Sequence, residues 1–436
     1  MKFFLGNTGV FWISVLTAAP VLIWFSMQPL QMRFGSFELV MTSLGQLTAL
    51  AGMALFSINL ALSGRFKFLE KYFNGLNRMY IVHHIVGGLA FVLLLGHPFF
   101  LVIRFIPTSV KFAFSFLFGF SDWAVTLGEI SLLVMIVLLA ITFYARWRYE
   151  SWKLSHQWLG LAFFIGGLHM FFIPSDVSAS ILLRVYMLGL AGLGLIVFLY
   201  RTVFKLDRKK EFDYVVENVS RASESVVFID LLPQGKRMEF SPGQFVFLRF
   251  LGKQVSGESH PFSVTSVPSS DRLSVGVKAL GDFTSTLYFL GKGTKVRIEG
   301  PFGAFIYSRS SNCRQIWVAG GIGITPFLSM AREVAGDSRN KYDIDLYYSV
   351  KERSEAVFLD ELVSIAREKP NFRVFPFYSG ESGRITADFI GQHSADCAKR
   401  EVFLCGPPMF MKALRKQLRE KGILNRNIHS EEFQLQ

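Results

Sequence analysis

The sequence comprises 436 residues, 51% of them hydrophobic, and carries a formal net charge of +13. Such an apolar composition, with 46 phenylalanines, argues against an ordinary soluble or disordered chain. Three cysteines argue against a disulfide framework or a cysteine-rich metal site, and basic residues beside the apolar segments account for the charge without a nucleic-acid partner.

Six apolar segments in the first 204 residues approach or reach the length that spans a lipid bilayer. They are residues 9–27, 37–62, 79–103, 122–145, 155–173 and 179–203. Lys and Arg, among them Arg65, Arg146 and Lys205, are enriched beside alternate loops. By the positive-inside rule both termini and the C-terminal half are cytoplasmic. The segment 104–121 is apolar but interrupted by Pro107, which predicts an outer loop at the membrane interface.

Two of the six segments carry paired histidines, His83 with His97 and His156 with His169. Thirteen or fourteen helical residues rise about 20–21 Å, so the histidines of one helix lie near opposite sides of a hydrocarbon core of about 30 Å. Imidazoles at this depth are rare and indicate function. Facing pairs at two depths predict two bis-histidine haems stacked across the membrane.

Alternatives to this interpretation remain. A lone histidine in an apolar helix is more often an interhelical hydrogen-bonding group, and His84 is a second candidate beside His83. A glycine follows both His83 and His156 by four residues, on the same helix face, which favours His83 and leaves room for a macrocycle. Thirteen steps of about 100° leave His156 and His169 about 140° apart on a straight helix. A local distortion at Gly166 and Gly167 and an offset between the haems are the two alternatives, and the sequence does not decide between them.

The C-terminal half changes its pattern after a basic linker at 205–211. Short β-branched and aromatic runs separated by Gly, Pro and Ser predict a small antiparallel barrel over 212–311. Apolar strands then alternate with amphipathic helices, which predicts a parallel α/β domain over 312–436. The helical region 1–204 completes the predicted organisation.

Glycine-rich turns mark the predicted α/β domain. VAGGIGITP, residues 318–326, runs from a strand through a turn into a helix, a geometry that brings amides to a pyrophosphate. Such a turn alone is a weak signal, but CGPP at 405–408 repeats the strand-then-glycine pattern. Together they predict a dinucleotide crevice. In the barrel, HPFSVTS (260–266) and GDFT (281–284) are ambiguous on spacing alone, because an edge strand and a helix cap explain them equally well.

The ordered motifs HPFSVTS, GDFT, GPFG (300–303), AGGIGITPF and CGPPM resemble those of ferredoxin-NADP-reductase-type dehydrogenases. With six spans and paired histidines, the chain resembles the NADPH oxidase (NOX) and ferric reductase superfamily, and SGRFKFLEKYFNGLNRMYIVHH is similar to bacterial NOX homologues. The resemblance implies a multi-domain membrane protein, in which a six-helix haem-binding bundle precedes a cytosolic ferredoxin-NADP-reductase-like module. That module would comprise an antiparallel FAD-binding β-barrel and an α/β Rossmann-like NADP-binding domain.

The resemblance also implies roles for individual residues. His83 with His156 would ligate the inner haem iron, and His97 with His169 the outer one. Ser263 would lie near the reactive edge of the flavin, Cys405 beside the nicotinamide, and Phe433 would stack on the isoalloxazine. The implied cofactor-binding set for FAD and the dinucleotide is His260, Pro261, Phe262, Ser263, Val264, Thr265, Lys278, Gly281, Thr284, Gly320, Gly321, Gly323, Thr325, Pro326, Ser349, Lys351, Arg353, Cys405, Gly406 and Phe433.

NADPH is favoured over NADH by the turn after the second strand of the α/β domain. Lys351 and Arg353 are suitable cations for a 2′-phosphate, and Ser349 can donate a hydrogen bond. Glu352 in the same turn weakens this argument, and an ordinary solvated turn is the alternative.

The implied activity is electron transfer from cytosolic NADPH through FAD and two b-type haems to O₂ on the opposite side, which yields superoxide and hydrogen peroxide. Arg104 is the nearest cation after His97 that could stabilise the anion. No EF-hand motif is found, and no partner protein is required by the sequence. The alternatives are a ferric or metal-chelate reductase, or an electron-transfer subunit for a quinone or partner protein. A bacterial plasma membrane is the expected location.

Overall fold

The structure is a computed structural model that describes residues 8–64, 66–73, 75–118, 122–145, 149–204, 211–252, 255 and 257–431. The chain divides into two compact units, Met1–Asp207 and Arg208–Gln436. The first unit is helical, and the second contains two β-sheets.

Eleven α-helices are described in the first unit. They are α1 (Thr8–Met27), α2 (Leu30–Phe34), α3 (Phe37–Ser63), α4 (Lys67–Phe73), α5 (Leu76–Ile103), α6 (Val110–Phe118), α7 (Trp123–Tyr144), α8 (Tyr149–Gln157), α9 (Leu159–Phe172), α10 (Asp176–Ala179) and α11 (Ile181–Phe198). Polar caps fix the start of two of the long helices, α3 and α7. Ser36 accepts from the amide of Leu39 before α3, and Asp122 accepts from two amides of α7. Each cap satisfies amides that have no partner within the helix.

Five helices in the described ranges are long and apolar enough to cross a membrane. They are Thr8–Met27, Phe37–Ser63, Arg78–Ile103, Trp123–Tyr144 and Ile181–Val203. The remaining predicted span, 155–173, is wrong as a single helix, because α8 ends at Gln157 and α9 begins at Leu159. The amide of Trp158 bonds the Ser155 carbonyl, and that of Leu161 bonds the Trp158 carbonyl. These are bonds of a tighter 3₁₀ turn, after which the helix resumes.

The predicted outer loop at 104–121 contains the short helix α6. Its Phe112 and Phe116 rings pack on Phe105, with ring centroids 4.9 and 5.2 Å apart. Phe112 is nevertheless exposed. An aromatic helix with one packed and one exposed side is typical of a membrane interface.

A buried polar cluster, formed by Trp24, Arg33, Gln46 and Asp176, ties together α1, α2, α3 and α10. The Arg33 guanidinium lies 3.8 Å from the centre of the Trp24 ring and donates to Asp176 at 2.7 Å and to Gln46 at 3.2 Å. The Trp24 indole donates to the same carboxylate oxygen at 2.7 Å. Arg33 is only 4% exposed, and a buried charge of this kind persists only when it is paired.

The second unit begins with an antiparallel six-stranded sheet in the order β4-β3-β6-β1-β2-β5. The strands are β1 (Glu211–Arg221), β2 (Val226–Pro233), β3 (Phe245–Leu251), β4 (Ser259–Ser263), β5 (Leu273–Lys278) and β6 (Lys295–Phe302), with helix α12 (Asp282–Thr286) before β6. Val264, directly after β4, bridges to Val275 of β5. The bridge brings the two edges together and closes the sheet, as the predicted barrel requires.

A parallel five-stranded sheet follows in the order β11-β10-β7-β8-β9. Its elements are β7 (Arg314–Gly320), α13 (Thr325–Gly336), β8 (Asp343–Val350), α14 (Leu359–Glu368), β9 (Phe372–Tyr378), α15 (Ser379–Ser382), α16 (Ala387–His393), β10 (Glu401–Cys405), α17 (Pro408–Glu420) and β11 (Ile428–Glu431). Side chains alternate along β7, so Trp317 joins the core beneath α13 while Ile316 joins the core beneath α17. Helices on both faces confirm the predicted α/β class.

Candidate functional site

The helical unit brings the four histidines together in two pairs. The ring centroids of His83 and His156 are 6.2 Å apart, and those of His97 and His169 are 6.4 Å apart. Each pair joins α5 to the α8–α9 segment. The two histidines of α5 are 14 residues apart, and those of the α8–α9 segment are 13 apart. The two pairs therefore lie at two levels along the helices.

Backbone carbonyls orient three of these rings. Nδ1 of His83, His97 and His169 lies 3.1, 2.9 and 2.6 Å from the carbonyl oxygens of Asn59, Gly45 and Ala124 respectively. A carbonyl accepts from a protonated Nδ1, which leaves the Nε2 lone pair available as a ligand.

The fourth ring, His156, is oriented by stacking. It lies parallel to Trp152, with a centroid separation of 5.5 Å and an interplanar angle of 9°. In the part of the chain that the structure describes, its buried Nδ1 has no hydrogen-bond partner.

The spacing of the pairs can be compared with that of a metal held between two imidazoles. A metal–imidazole bond measures about 2.0–2.1 Å, and a ring nitrogen lies about 1.1 Å from the centre of its ring. Two imidazoles that shared one metal between them would therefore have ring centres about 6.2–6.4 Å apart. Both observed separations, 6.2 and 6.4 Å, agree. The residues present therefore fit a bis-histidine haem at each level.

A tight turn at Trp158 lies between His156 and His169. A 3₁₀ turn rotates about 120° per residue instead of about 100°, which brings the two histidines closer to one face. At Gly166 and Gly167, the place named as one alternative, α9 runs through both glycines without a break.

His83, and not His84, faces His156. The His84 ring is exposed, and its Nδ1 turns back to the carbonyl of Tyr80 at 2.9 Å. The glycine argument for His83 stays a prediction. A Cβ at Gly87 would lie 2.8 Å from the Asn59 amide, and one at Gly160 would lie 2.2 Å from the Phe198 ring. Both glycines therefore allow a side chain of a neighbouring helix to approach closely.

Arg104 caps the C-terminal end of α5, beyond His97. Its guanidinium donates to the Thr42 hydroxyl at 3.3 Å and lies 4.4 Å from the centre of the Phe105 ring. It is partly exposed, so this cation is held close to the end of the helix without being fully enclosed.

In the α/β domain, the two glycine turns meet at the carboxyl edge of the sheet. β7 and β10 are adjacent, and the chain leaves them in opposite directions, so a crevice opens between the turns that follow them. A Cβ at Gly323 would lie 2.4 Å from the Cys405 carbonyl oxygen, and one at Gly406 would lie 3.1 Å from the Gly320 Cα. Gly321 has a φ of +56°, which glycine adopts at no cost.

Helix α13 starts directly after the first glycine turn. Thr325 and Pro326 occupy its first two positions, and the Thr325 hydroxyl donates to the Ile322 carbonyl at 2.9 Å. Proline is favoured there because its missing N–H has no partner in the first turn anyway. The helix N-terminus thereby lies beside the crevice, where its amides suit an anion.

Cys405 ends β10 at this edge of the sheet, and its side chain is completely buried in the core beneath α13. Burial, and secondarily the carboxylate of Glu431 on the neighbouring strand, raises the pKa of the Cys405 thiol well above its usual value. The thiol is therefore protonated at neutral pH. It can donate a weak hydrogen bond beside a ligand, but it cannot act as a thiolate.

The residues predicted to bind a 2′-phosphate do not share one environment. Ser349 is buried at the end of β8, whereas Lys351 and Arg353 in the following turn are exposed. Of these three residues, only the two cations are therefore accessible.

The predicted flavin motif forms most of the edge strand β4 and the three residues after it. Ser263 and Thr265 are 5% and 0% exposed, and the Thr265 hydroxyl has no hydrogen-bond partner among the described residues. An orphaned buried hydroxyl fits a ligand at this strand. Pro261 lies at the sheet edge, where a missing N–H is tolerated.

Two ring side chains of this motif, His260 and Phe262, already pack against other protein side chains. Phe262 is 8% exposed and packs in the barrel core, so this packing does not favour a side-chain contact with FAD. His260 stacks on Phe283 with a centroid separation of 3.8 Å and contacts Glu258 at 3.2 Å.

The GDFT turn is organised by a threonine cap. The Thr284 hydroxyl accepts from the amides of Leu280 and Gly281 at 2.9 and 3.1 Å. Lys278, at the end of β5, lines a small cleft with Gly321 of the α/β domain. Phe433 lies outside the described residues.

A joint between barrel and α/β domain was not predicted from the sequence. The Ser329 hydroxyl of α13 donates to the Ser266 carbonyl at 2.6 Å, and Arg332 donates to the Thr265 carbonyl at 2.9 Å. Glu361 holds Arg332 through two further bonds. The helix after the glycine turn is thus bonded to the end of the flavin motif.

Three family models match the chain in succession. A ferric reductase like transmembrane component matches residues 48–167, an FAD-binding domain matches 212–305, and an oxidoreductase NAD-binding domain matches 317–416. The transmembrane match and the five apolar helices show an integral membrane protein.

Curated relatives match the second unit. The chain is 30% identical over 207 residues to the ferredoxin–NAD(P)⁺ reductase component of the naphthalene 1,2-dioxygenase/salicylate 5-hydroxylase systems of Ralstonia sp, covering 45% of this chain and 62% of that protein. It is 28% identical to the toluate 1,2-dioxygenase electron transfer component of Pseudomonas putida, covering 51% and 67%. The chain thus spans less than two thirds of the first relative's length.

Among solved structures, a flavohemoglobin from Malassezia yamatoensis with bound FAD and heme has a TM-score of 0.51 at 17% identity, with 91% of this chain and 98% of that chain covered. A likeness at this identity concerns the fold alone. The three family models, in this order on one chain, have a more specific meaning. Together they give this chain the domain architecture of the NADPH oxidase and ferric reductase superfamily.

Proposed function

We propose that the chain transfers electrons from NADPH through FAD and two b-type haems to O₂ on the opposite side of a membrane, producing superoxide and then hydrogen peroxide. Transmembrane flavoprotein electron transfer follows from the three domains. The observation that carries the finer proposal is the pair of histidine separations, 6.2 and 6.4 Å, at two levels of one bundle. A bacterial plasma membrane and cytoplasmic termini are part of the same proposal.

At the dinucleotide end, the chain's groups would orient the donor. The glycine turns at Gly321 and Gly406 allow a pyrophosphate to approach the backbone closely. The neutral Cys405 thiol would lie beside the nicotinamide, and Ser263 near the reactive edge of the flavin. When bound, FAD converts a two-electron donor into one-electron steps that the haems relay.

At the histidine end, the backbone carbonyls fix which nitrogen can ligate. The two histidines of each level would hold one haem between them, and a haem held in this way would supply one-electron transfer to an acceptor such as O₂. Arg104 would stabilise the anion that forms there.

The ligand assignment is tested by counting haems in the purified full chain. A pyridine-haem assay with a dithionite-minus-oxidised spectrum should give two low-spin haems and one flavin per chain. His97→Ala and His169→Ala should each leave one haem, whereas the matched control His84→Ala should leave both. One haem or none in the wild type, or two haems in either variant, would refute the proposal.

A ferric or metal-chelate reductase is the second candidate, and the match to a ferric reductase like transmembrane component favours it. Superoxide formation and ferric-chelate reduction should be compared with and without superoxide dismutase. If dismutase abolishes the iron reduction, O₂ is the direct acceptor. If iron reduction persists, the chelate is.

A third candidate is an electron-transfer subunit for a quinone or partner protein. The curated relatives named above are themselves an electron transfer component and a reductase component of oxygenase systems. This candidate requires slow turnover with O₂ and a partner that co-purifies with the chain.

A further inference from the structure

We propose that Glu381 determines the choice between NADH and NADPH, because its carboxylate holds the cation Arg353 at the adenosine end of the dinucleotide crevice. The inference rests on the proposed function in one respect only, namely that a nicotinamide dinucleotide binds across the carboxyl edge of the parallel sheet. It does not depend on the haems or on the final acceptor.

Two turns at this edge are fastened to each other. β8 and β9 are parallel neighbours with Val350 opposite Tyr378. The amide of Gly380 donates to the Lys351 carbonyl at 2.9 Å, and the Ser379 hydroxyl donates to the Val350 carbonyl at 3.2 Å. A Cβ at Gly380 would lie 2.8 Å from the same Lys351 oxygen. The turn after β9 is therefore fixed against the turn after β8.

This fixed geometry sets Glu381 opposite Arg353. Arg353 Nε donates to Glu381 Oε1 at 3.2 Å, and the guanidinium lies 4.9 Å from the centre of the Tyr378 ring. The side chains of Arg353 and Glu381 are 73% and 58% exposed. Both are thus accessible to a ligand, and the carboxylate raises the pKa of Arg353, which stays charged.

The two dinucleotides differ at the adenosine ribose in the chemistry that this pair recognises. NADH presents a 2′-hydroxyl, which donates a hydrogen bond to a carboxylate. NADPH presents a phosphate, which pairs with a guanidinium. The Glu381 carboxylate repels the phosphate and occupies the Nε side of the Arg353 guanidinium. The remaining N–H groups of Arg353 attract the phosphate. The opposed charges reduce the preference for NADPH that Lys351 and Arg353 alone would give.

The exposed Arg353–Glu381 pair can affect ligand affinity without affecting stability. Exposed pairs contribute little to stability, so Glu381 can be replaced without cost to the fold. Its effect on an incoming dianion about 4–6 Å away is larger, and corresponds to about a 3- to 10-fold change in affinity at low salt.

The test is a binding measurement on the full purified chain with 2′,5′-ADP and 5′-ADP as probes, since these differ only in the 2′-phosphate. Glu381→Gln should raise the preference for 2′,5′-ADP about 3- to 10-fold at low salt, with a smaller gain at high salt. Arg353→Gln should lower the same preference. The matched control is Glu420→Gln, which removes an exposed carboxylate paired with Lys416 on α17, and it should leave the ratio unchanged.

An unchanged ratio in Glu381→Gln, or an equal shift in Glu420→Gln, would overturn the proposal. Neither outcome bears on the oxidase activity, because the probes carry no hydride. Conversely, a wild-type chain without haem would refute the proposed function and leave this binding result standing.

Discussion

Gly128, which the sequence pattern did not single out, lies against the candidate haem ligand His169. A Cβ at this position would lie 2.9 Å from Nδ1 of His169. That ring cannot retreat without losing its 2.6 Å contact with the Ala124 carbonyl. A single methyl group on α7 therefore has a direct effect on the outer histidine pair.

We expect Gly128→Ala to displace the His169 ring and to remove or perturb one haem of two. The measurement is the pyridine-haem count together with the low-spin electron paramagnetic resonance signal. Gly88→Ala is the matched control, because a Cβ at Gly88 meets no atom within 4 Å. Two unperturbed haems in Gly128→Ala would show that His169 does not ligate.

At the residue scale, the spacing of the histidines could be predicted from the sequence, but the groups that orient them could not. The 13- and 14-residue spacings predicted two levels of histidines because helical rise is regular. The carbonyls that orient His83, His97 and His169 were not predictable. They lie 24, 52 and 45 residues away and are backbone atoms, which any residue type supplies.

At the scale of elements, strands and helices follow the predicted pattern closely. The predicted alternation of strands and helices over 312–436 is confirmed, for example by β9 at Phe372–Tyr378 and α17 at Pro408–Glu420. Strong periodicity and glycine or proline boundaries made these elements predictable. The tight turn at Trp158 was not, since tryptophan carries no signal for a helix break and its effect depends on tertiary packing.

Helix α13 connects two elements of the candidate site, because it follows the glycine turn and bonds the end of the flavin motif. Arg332→Lys keeps the charge but loses the fork that contacts Glu361 and the Thr265 carbonyl together. We expect flavin reduction by NADPH to slow about tenfold or more, since small misplacements of reacting groups are costly. Stopped-flow absorbance at the flavin band would measure this rate.

Flavin content should stay the same in Arg332→Lys, because the residue does not belong to the flavin motif itself. Arg339→Lys, in the exposed turn after α13, provides the matched control. An unaltered reduction rate in Arg332→Lys would mean that the joint does not position the two motifs.

At the scale of the whole molecule, the chain consists of two compact units. The second unit contains a barrel core and an α/β core. The barrel core is built around residues such as Val227, Ile229 and Leu248, and the α/β core around Trp317 and Phe327. Each of these cores lies entirely within the second unit. A unit of about 230 residues is ample for independent folding.

We therefore expect residues 208–436, produced alone, to be soluble, to bind FAD and to reduce ferricyanide with NADPH. Size-exclusion chromatography, the flavin spectrum and a ferricyanide assay measure these properties. Gly323→Ala in the same fragment should keep FAD but lose dinucleotide-dependent activity, because its Cβ would lie 2.4 Å from the Cys405 carbonyl oxygen. An aggregated, flavin-free fragment would contradict the independence of the unit.

The buried cluster of Trp24, Arg33 and Asp176 has a consequence for biogenesis. Asp176 follows Arg33 by 143 residues, which corresponds to about 7–30 s of translation at about 5–20 residues per second. Until then the guanidinium has no carboxylate, and an uncompensated cation is costly in an apolar environment. The order of synthesis thus makes the closing of this end of the bundle a late event during membrane insertion.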